Sequence, residues 1–445
     1  MIESITIENF LSFKNKTIFD FKASSERSAK GFENIQWYSE KDRKKILKTI
    51  FLFGNNGTGK TNFLNVFSVL NDLATTYRAS KSKDVDRLPN VSFLLSEDTK
   101  DAPSSIDIVF HTHGFRYEYF VRWDEKYIHE ERLSKSMGIR KKADLFLRLY
   151  NNHNDIVEIT FPGKKNPISE ETRRVICQNT IRNTSVISVY DGKNMESEDL
   201  RIVHSYFESC RLCNVKSYDL ASMITKRSDG DKLKKVLLSI LKDLGSNICD
   251  YRVDDIAIKL SDAEKKAMLS QMPEDQFYSI FPNGERKFQR LNFAYQTSEK
   301  TERFWLPENL ESEGTQEVIR LIIVLFDSIE QHTPLAIDEC AQSINPEVLK
   351  YIIQFYLKAS TDSQVFLASQ AITILNMNGY RRDTARFFDK EPSSGISSFQ
   401  IVDKQKYHKK MSIYNAYISN SFGGKTGLID EKDWNEHIDQ IVELI

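Results

Sequence analysis

One stretch constrains the fold of this chain more than any other: Phe51–Leu52–Phe53–Gly54–Asn55–Asn56–Gly57–Thr58–Gly59–Lys60–Thr61–Asn62. It has the form GxxxxGK[ST]. Residues 47–53 before it are apolar and β-prone. Residues 62–73 after it (NFLNVFSVLNDL) carry apolar side chains at helical spacing. Gly54 and Gly59 let the backbone turn where a side chain would clash. The turn then aims successive N–H groups at a phosphate, and the N-terminus of the following helix adds positive potential. Lys60 is the residue to neutralise phosphate charge, and the Thr61 hydroxyl is the one to ligate Mg²⁺. Asn55, Asn56, Gly57, Thr58 and Asn62 complete the loop. The pattern predicts strand, loop and helix in succession, and hence an α/β chain built on a P-loop.

Composition limits what such a chain can be. With 445 residues, 40% hydrophobic and 28% charged, it can bury one large core or form about two to three domains. The net charge of −1 supplies no global field to draw it onto nucleic acid or an anionic membrane, so DNA binding would need a local patch. No stretch reaches the ~18 apolar residues of a membrane span. The N-terminal MIESITIENF alternates like a strand and lacks the layout of a signal peptide. Five cysteines, sparse and odd in number, suit reduced thiols and a cytoplasmic location. Cys210 and Cys213 form a lone CxxC, read as buried thiols rather than a zinc or redox site.

Along the chain, residues 1–10 read as a strand. Residues 22–45 are polar, without a clear period, and read as a loop or insertion. Residues 105–122 alternate around Gly114 and predict a β-hairpin, and β-rich sequence continues to about residue 161. His111 and His113, two apart, read as ordinary strand residues rather than metal ligands. Residues 171–179, 198–210 and 232–244 have helical spacing. Residues 250–306 return to strand-like runs around a charged helix at 262–271. The basic stretches at 41–45, at Lys135 with 140–142, and at 404–410 read as solvated faces.

A second chemical cluster begins near residue 310. Glu311–Ser312–Glu313–Gly314–Thr315–Gln316 precedes an apolar helix over 318–329, and Thr333–Pro334–Leu335–Ala336–Ile337 leads into Asp338–Glu339. An apolar strand delivering two carboxylates at its C-terminal edge is the Walker B pattern. Asp338 is suited to ordering Mg²⁺ through water, and Glu339 to polarising an attacking water. Another apolar strand follows at 364–369.

Together these residues resemble the ABC-type ATPases. Ser312–Glu313–Gly314 is similar to their signature, and Ser343–Ile344–Asn345–Pro346 to their D-loop, in the expected order. The finer resemblance is to the SMC/RecF-like, AAA-grouped ATPases of bacterial two-gene anti-phage and abortive-infection systems, similar to those of PARIS, Septu and the overcoming-lysogenization-defect type. It rests on Glu311–Thr315, on Arg381–Asp383 before a strand, and on a late stretch with Tyr417, Gly423 and Gly424.

The resemblance implies an ABC ATPase head, with residues 1–160 and 290–445 as its core and a mainly helical lobe at 161–289. It implies ATP and Mg²⁺ as ligands, with Lys60 and Thr61 on phosphate and metal, Asp338 on metal and Glu339 as catalytic base. Ser312 and Gly314 would act in trans across a homodimer or larger homo-oligomer. The partner would be a nuclease or toxin effector from a neighbouring gene, with DNA or a phage protein as trigger and no membrane involved. A RecF/SMC-like DNA-repair ATPase is the alternative. The chain departs from the pattern at Gln370, where a switch His is usual, and at Asn345 in the D-loop. Gln370 can donate a hydrogen bond to a γ-phosphate but carries no charge, which implies slow hydrolysis. Residues 376–445 are too short for a Toprim nuclease, so effector chemistry would belong to the partner.

Overall fold

The computed structural model describes residues 1–79, 87–136, 138, 142–163, 166–225, 227, 229–282, 285–296, 302–340, 343–370, 372–376, 381–402, 412–419 and 421–422. The chain divides into two compact units. One comprises Met1–Asn214, Ser328–Gln342 and Leu349–Ile445; the other comprises Val215–Asp327 and Ser343–Val348.

The first unit holds two sheets. A six-stranded sheet runs in the order Arg211–Asn214, Pro334–Asp338, Gln364–Ala368, Thr49–Phe53, Ala385–Lys390, Ser397–Ile401. Its first five strands are parallel to their neighbours and the last is antiparallel. Thr49–Phe53 and Gln364–Ala368 are buried at every position, which explains their unbroken apolar runs. The second sheet is antiparallel, with seven strands in the order Ile156–Thr160, Ala143–Asn151, Ile128–Ser136, Phe115–Trp123, Ser104–Thr112, Ile2–Glu8, Thr17–Asp20. Its alternation was visible in the sequence because only one face packs on the core. The hairpin predicted around Gly114 is the Ser104–Thr112 and Phe115–Trp123 pair.

The Lys60–Thr75 helix packs between these sheets. It buries Phe63, Leu64, Val66, Phe67, Leu70 and Leu73. The Phe63 ring lies 4.1 Å, centroid to centroid, from Phe19 of the antiparallel sheet and 6.3 Å from Phe366 of the parallel one. Phe67 approaches Phe366 at 5.0 Å. Buried Gln364 stitches the layers polar to polar: its Nε2 donates to the carbonyls of Leu47 (2.9 Å) and Ile2 (3.2 Å), and its Oε1 accepts from Ile2 N–H (2.6 Å).

Three expectations need correction. Residues 22–45 are not all loop, since Gln36–Ser39 pairs with Lys44–Leu47; few of these residues are buried, so no apolar period marked the strands. The helices Glu170–Asn179, Val186–Gly192 and Glu198–Ser209 belong to the first unit rather than to an inserted lobe. The last two are held there by Ser185 Oγ donating to the Leu73 carbonyl (2.7 Å), Glu131 accepting from Val186 N–H (2.7 Å) and Tyr117 donating to Asp199 (2.7 Å). The second unit, which starts at Val215, is mixed rather than mainly helical. Ile248–Lys259, Glu285–Gln296 and Arg303–Pro307 form an antiparallel sheet beside the helices Leu220–Thr225, Gly230–Asp243, Asp262–Leu269 and Glu274–Ile280.

The Arg381–Asp383 turn is structural. Arg381 pairs with Asp383 and donates to the Ser24 carbonyl at 2.9 Å, while Ser24 N–H donates to Asp383 at 2.7 Å. Tyr417 packs on Phe387 (5.4 Å); Gly423 and Gly424 lie outside the described residues, as do Arg140, Lys141 and the stretch 404–410.

Because Phe63 carries the contact between both sheets and the helix, Phe63→Ala should lower unfolding stability by about 3–5 kcal/mol. Urea denaturation followed by circular dichroism measures it; a loss under ~1 kcal/mol would show that the helix is not held by this ring.

Candidate functional site

The parallel strands Thr49–Phe53, Pro334–Asp338 and Gln364–Ala368 end on one edge, the edge where α/β sheets bind ligands. Asn55–Asn62 leave the first strand, Asp338 and Glu339 end the second, and Gln370 follows the third. A cavity of ≈ 210 Å³ there is lined by Asn56, Gly57, Gly59–Asn62, Asp338, Glu339 and Gln370, among others.

Lys60 is buried and donates from Nζ to the carbonyls of Gly54 (2.7 Å) and Asn55 (2.8 Å). Burial lowers its pKa from the ordinary lysine value; Asp338 and Glu339 pull in the opposite direction. Thr58 Oγ1 donates to the Asn55 carbonyl at 2.9 Å and pins the loop. Thr61 Oγ1 donates to Asp338 Oδ2 at 2.7 Å, joining residues 277 positions apart in sequence. A hydroxyl beside a carboxylate is a hard-oxygen donor set of the kind Mg²⁺ prefers, so these residues fit that ion.

Glu339 is exposed and sits in the left-handed region, at φ 54°. Such a conformation costs a non-glycine residue about 1–3 kcal/mol and is kept where the surroundings fix it. They do: Cys340 N–H donates to the Ala368 carbonyl (2.8 Å), and Ser369 Oγ donates to the Cys340 carbonyl (2.9 Å). Gln370 Nε2 donates to Asn56 Oδ1 at 2.5 Å, so the segment after the third strand and the P-loop touch directly.

Several residues at the loop escaped sequence reading. Asn62 Nδ2 donates to Ser12 Oγ (2.8 Å), and Ser397 Oγ lies 2.8 Å from the same hydroxyl. Gly59, at φ +106°, presses on this pair: a Cβ there would lie 2.5 Å from Ser397 Oγ and 2.9 Å from Ser12 Oγ. A larger cavity of ≈ 720 Å³ shares Asn56 and Gly57 with the first and is lined by Lys14, Phe93, Leu95, Lys390 and Gly395. These residues come from three distant segments, and no local pattern links them.

Ser312 and Gly314 belong to the second unit. Ser312 Oγ accepts from Thr315 N–H at 3.1 Å, which makes it the N-cap of the Glu313–Gln331 helix. This helix is longer than the predicted 318–329.

The other candidates have structural roles. His111 is buried between Glu3 (3.0 Å) and Asp42 (3.2 Å), whereas His113 lies in the turn at φ 49°. Among the described residues no group of three or more His, Cys, Asp or Glu is placed to hold a metal ion. Burial pushes the Cys210 thiol up to about 12; Cys213 is also buried, and neither forms a disulfide. Lys44 pairs with Glu3 (2.7 Å) and Lys135 with Asp199 (2.6 Å), so these basic residues serve internal pairs. No described helix is long and apolar enough to cross a membrane.

The fold and this loop define a P-loop NTPase. A family model described as "AAA domain, putative AbiEii toxin, Type IV TA system" matches residues 50–376, and the chain belongs to that family of AAA-type, ATP-binding ATPase domains. Among solved structures it is similar to an SMC head bound to the C-terminal winged-helix domain of ScpA, with 12% identity, TM-score 0.44, and coverage of 91% of this chain and 99% of that one. The SMC head domain from Thermotoga maritima is 10% identical, with TM-score 0.39 and coverage of 90% and 99%. The recombination mediator RecF with ATP is 13% identical, with TM-score 0.31 and coverage of 90% and 97%. No curated protein matches the chain.

Gly59→Ala must strain its backbone and displace Ser12 or Ser397. We expect about 1–3 kcal/mol of lost stability and at least about tenfold weaker ATP binding, because the N–H groups of the loop are re-aimed. Titration with a fluorescent ATP analogue measures it; unchanged affinity would show that the loop tolerates a Cβ.

Proposed function

We propose that this chain hydrolyses ATP, closes as a dimer around it, and acts as a sensor or scaffold controlling an effector, a nuclease or toxin, in defence against phage. The observation that carries the ATPase part is the 2.7 Å hydrogen bond from Thr61 to Asp338, which sets the P-loop hydroxyl against the Walker B carboxylate. The defence role is supported by the toxin–antitoxin description of the family and by the resemblance of the signature and Arg381–Asp383 stretches.

In this reading Lys60 exchanges its loop carbonyls for the β- and γ-phosphate oxygens. The backbone N–H groups of Asn56–Thr61 cradle the phosphates, and the larger cavity beside Lys14 and Leu95 takes the nucleoside. Thr61 and Asp338 would hold Mg²⁺, which would supply neutralisation of phosphate charge. Glu339 accepts the proton of the attacking water, and Gln370 turns from Asn56 to donate to the γ-phosphate. Being neutral, Gln370 stabilises developing charge less than a protonated His, so turnover is slow. Ser312 and Gly314 meet the γ-phosphate bound by another copy.

Glu339→Gln should therefore hold ATP without turnover and show an ATP-dependent increase in mass by size-exclusion with light scattering, because a ligand that favours the closed state drives closure by mass action. Adding Ser312→Arg should abolish the increase while ATP binding persists. A Glu339→Gln, Ser312→Arg double variant that assembles like Glu339→Gln alone would exclude the trans signature. Salt-dependent binding of duplex DNA by the wild-type chain would favour the repair reading instead.

A further inference from the structure

The second unit contains a contact, between Glu317 and Ser343, to which the phosphate chemistry above assigns nothing. The Glu313–Gln331 helix opens with Ser312 as its cap, and the Ser343–Pro346 stretch lies directly on its first turn. A Cβ on Gly314 would come within 2.9 Å of the Ser343 carbonyl oxygen, so the two backbones meet where only glycine fits. One turn further along, Glu317 accepts the Ser343 N–H on Oε2 at 3.0 Å. The same residue is thus held at its carbonyl side by close packing and at its N–H by a carboxylate. Asn345 Oδ1 then accepts from Glu347 N–H at 2.9 Å and starts the Pro346–Ala359 helix.

Glu317 is an expensive residue for this duty. Its side chain is 2% exposed, and its Oε1 has no hydrogen-bond partner among the described residues. An under-satisfied buried carboxylate costs stability. The surrounding positions Val318, Ile319, Leu321 and Ile322 are all buried and apolar, so a leucine would suit the packing better. What the carboxylate supplies is a fixed acceptor for Ser343, four positions beyond Glu339 in the chain.

We infer that Glu317 is a positioning residue, which locks the Ser343–Pro346 stretch onto the signature turn and so fixes where Ser312 stands for the γ-phosphate it meets. This rests on the ATPase reading above. It gives a physical reason why Ser343–Val348 groups with the second unit although the residues on either side of it in the chain group with the first.

The test uses the full chain with Glu317→Leu and Glu317→Gln. Leucine fits the volume and removes the acceptor; the glutamine amide oxygen keeps it. Circular dichroism and urea melts first establish that both variants fold. Hydrogen exchange at the Ser343 amide should accelerate at least about tenfold in Glu317→Leu, as expected for loss of a buried acceptor. ATP turnover should show kcat reduced at least about tenfold with KM for ATP within about threefold, the pattern of a lost transition-state contribution. Glu317→Gln should restore most of both. A merely structural role would leave kcat near wild type once the chain is folded.

Unaltered kcat in Glu317→Leu, unaltered Ser343 exchange, or a kcat loss that Gln does not restore would each overturn the inference. Lys60→Ala, run alongside, separates the two levels: turnover that survives Lys60→Ala removes the ATPase reading itself. If wild-type turnover is below detection, exchange at Ser343 with and without ATP replaces it. ATP should then slow that exchange in wild type and Glu317→Gln but not in Glu317→Leu, and an equal response in all three would equally overturn the inference.

Discussion

The site depends on where the Lys60–Thr75 helix begins. Its first turn carries Lys60, Thr61 and Asn62, and its apolar face is fixed by Phe63 and Phe67 between two sheets. The burial of those rings sets the height of Lys60 relative to the end of the Thr49–Phe53 strand, so the loop can span the gap only in the left-handed turns that Gly57 and Gly59 adopt. Packing is thus converted into the position of an ammonium group and a hydroxyl. The Ser12, Ser397 and Asn62 contacts then fix the loop from the side.

Around that anchor the charges are balanced in a way that suits polyphosphate. Lys60 is buried with its pKa lowered, and among the described residues it is held by two carbonyls rather than by an ion pair. Carbonyl partners are neutral, so a phosphate competes with them favourably, whereas a salt bridge at that spot would have to be broken first. Asp338 is already engaged by Thr61, and Glu339 is exposed on a strained backbone. The two adjacent carboxylates therefore have different surroundings, one tied to the Thr61 hydroxyl and one open to water. That difference underlies the separate roles proposed for them.

How much of this could be read from the sequence follows from how local each signal is. The P-loop was legible because strand, loop and helix are contiguous, and the Asp338–Glu339 pair because a fully buried strand leaves an unbroken apolar run. The antiparallel sheet showed through its alternation. The Gln36–Ser39 and Lys44–Leu47 strands did not, because each is only four residues long and pairs two polar with two apolar residues without alternation. The division at Val215 was not legible either, since helices 170–209 bury their apolar faces on the first unit while looking, residue by residue, like those of the second. The cavity beside Lys14, Leu95 and Gly395 joins three distant segments. Glu317 was invisible for the opposite reason: a carboxylate in the first turns of a helix reads as a solvated face until its burial and its Ser343 partner are seen.

The most direct measurement of the central claim is calorimetric titration of ATP into the purified chain, with Mg²⁺ and with the metal chelated, for wild type and Asp338→Asn. The account predicts one saturable site per chain, at least about tenfold tighter with Mg²⁺ in the wild type, as a hard-oxygen metal site requires, with that gain lost in the variant. A folded wild-type chain that binds no ATP, or binds it with the same affinity whether Mg²⁺ is present or not, would contradict it.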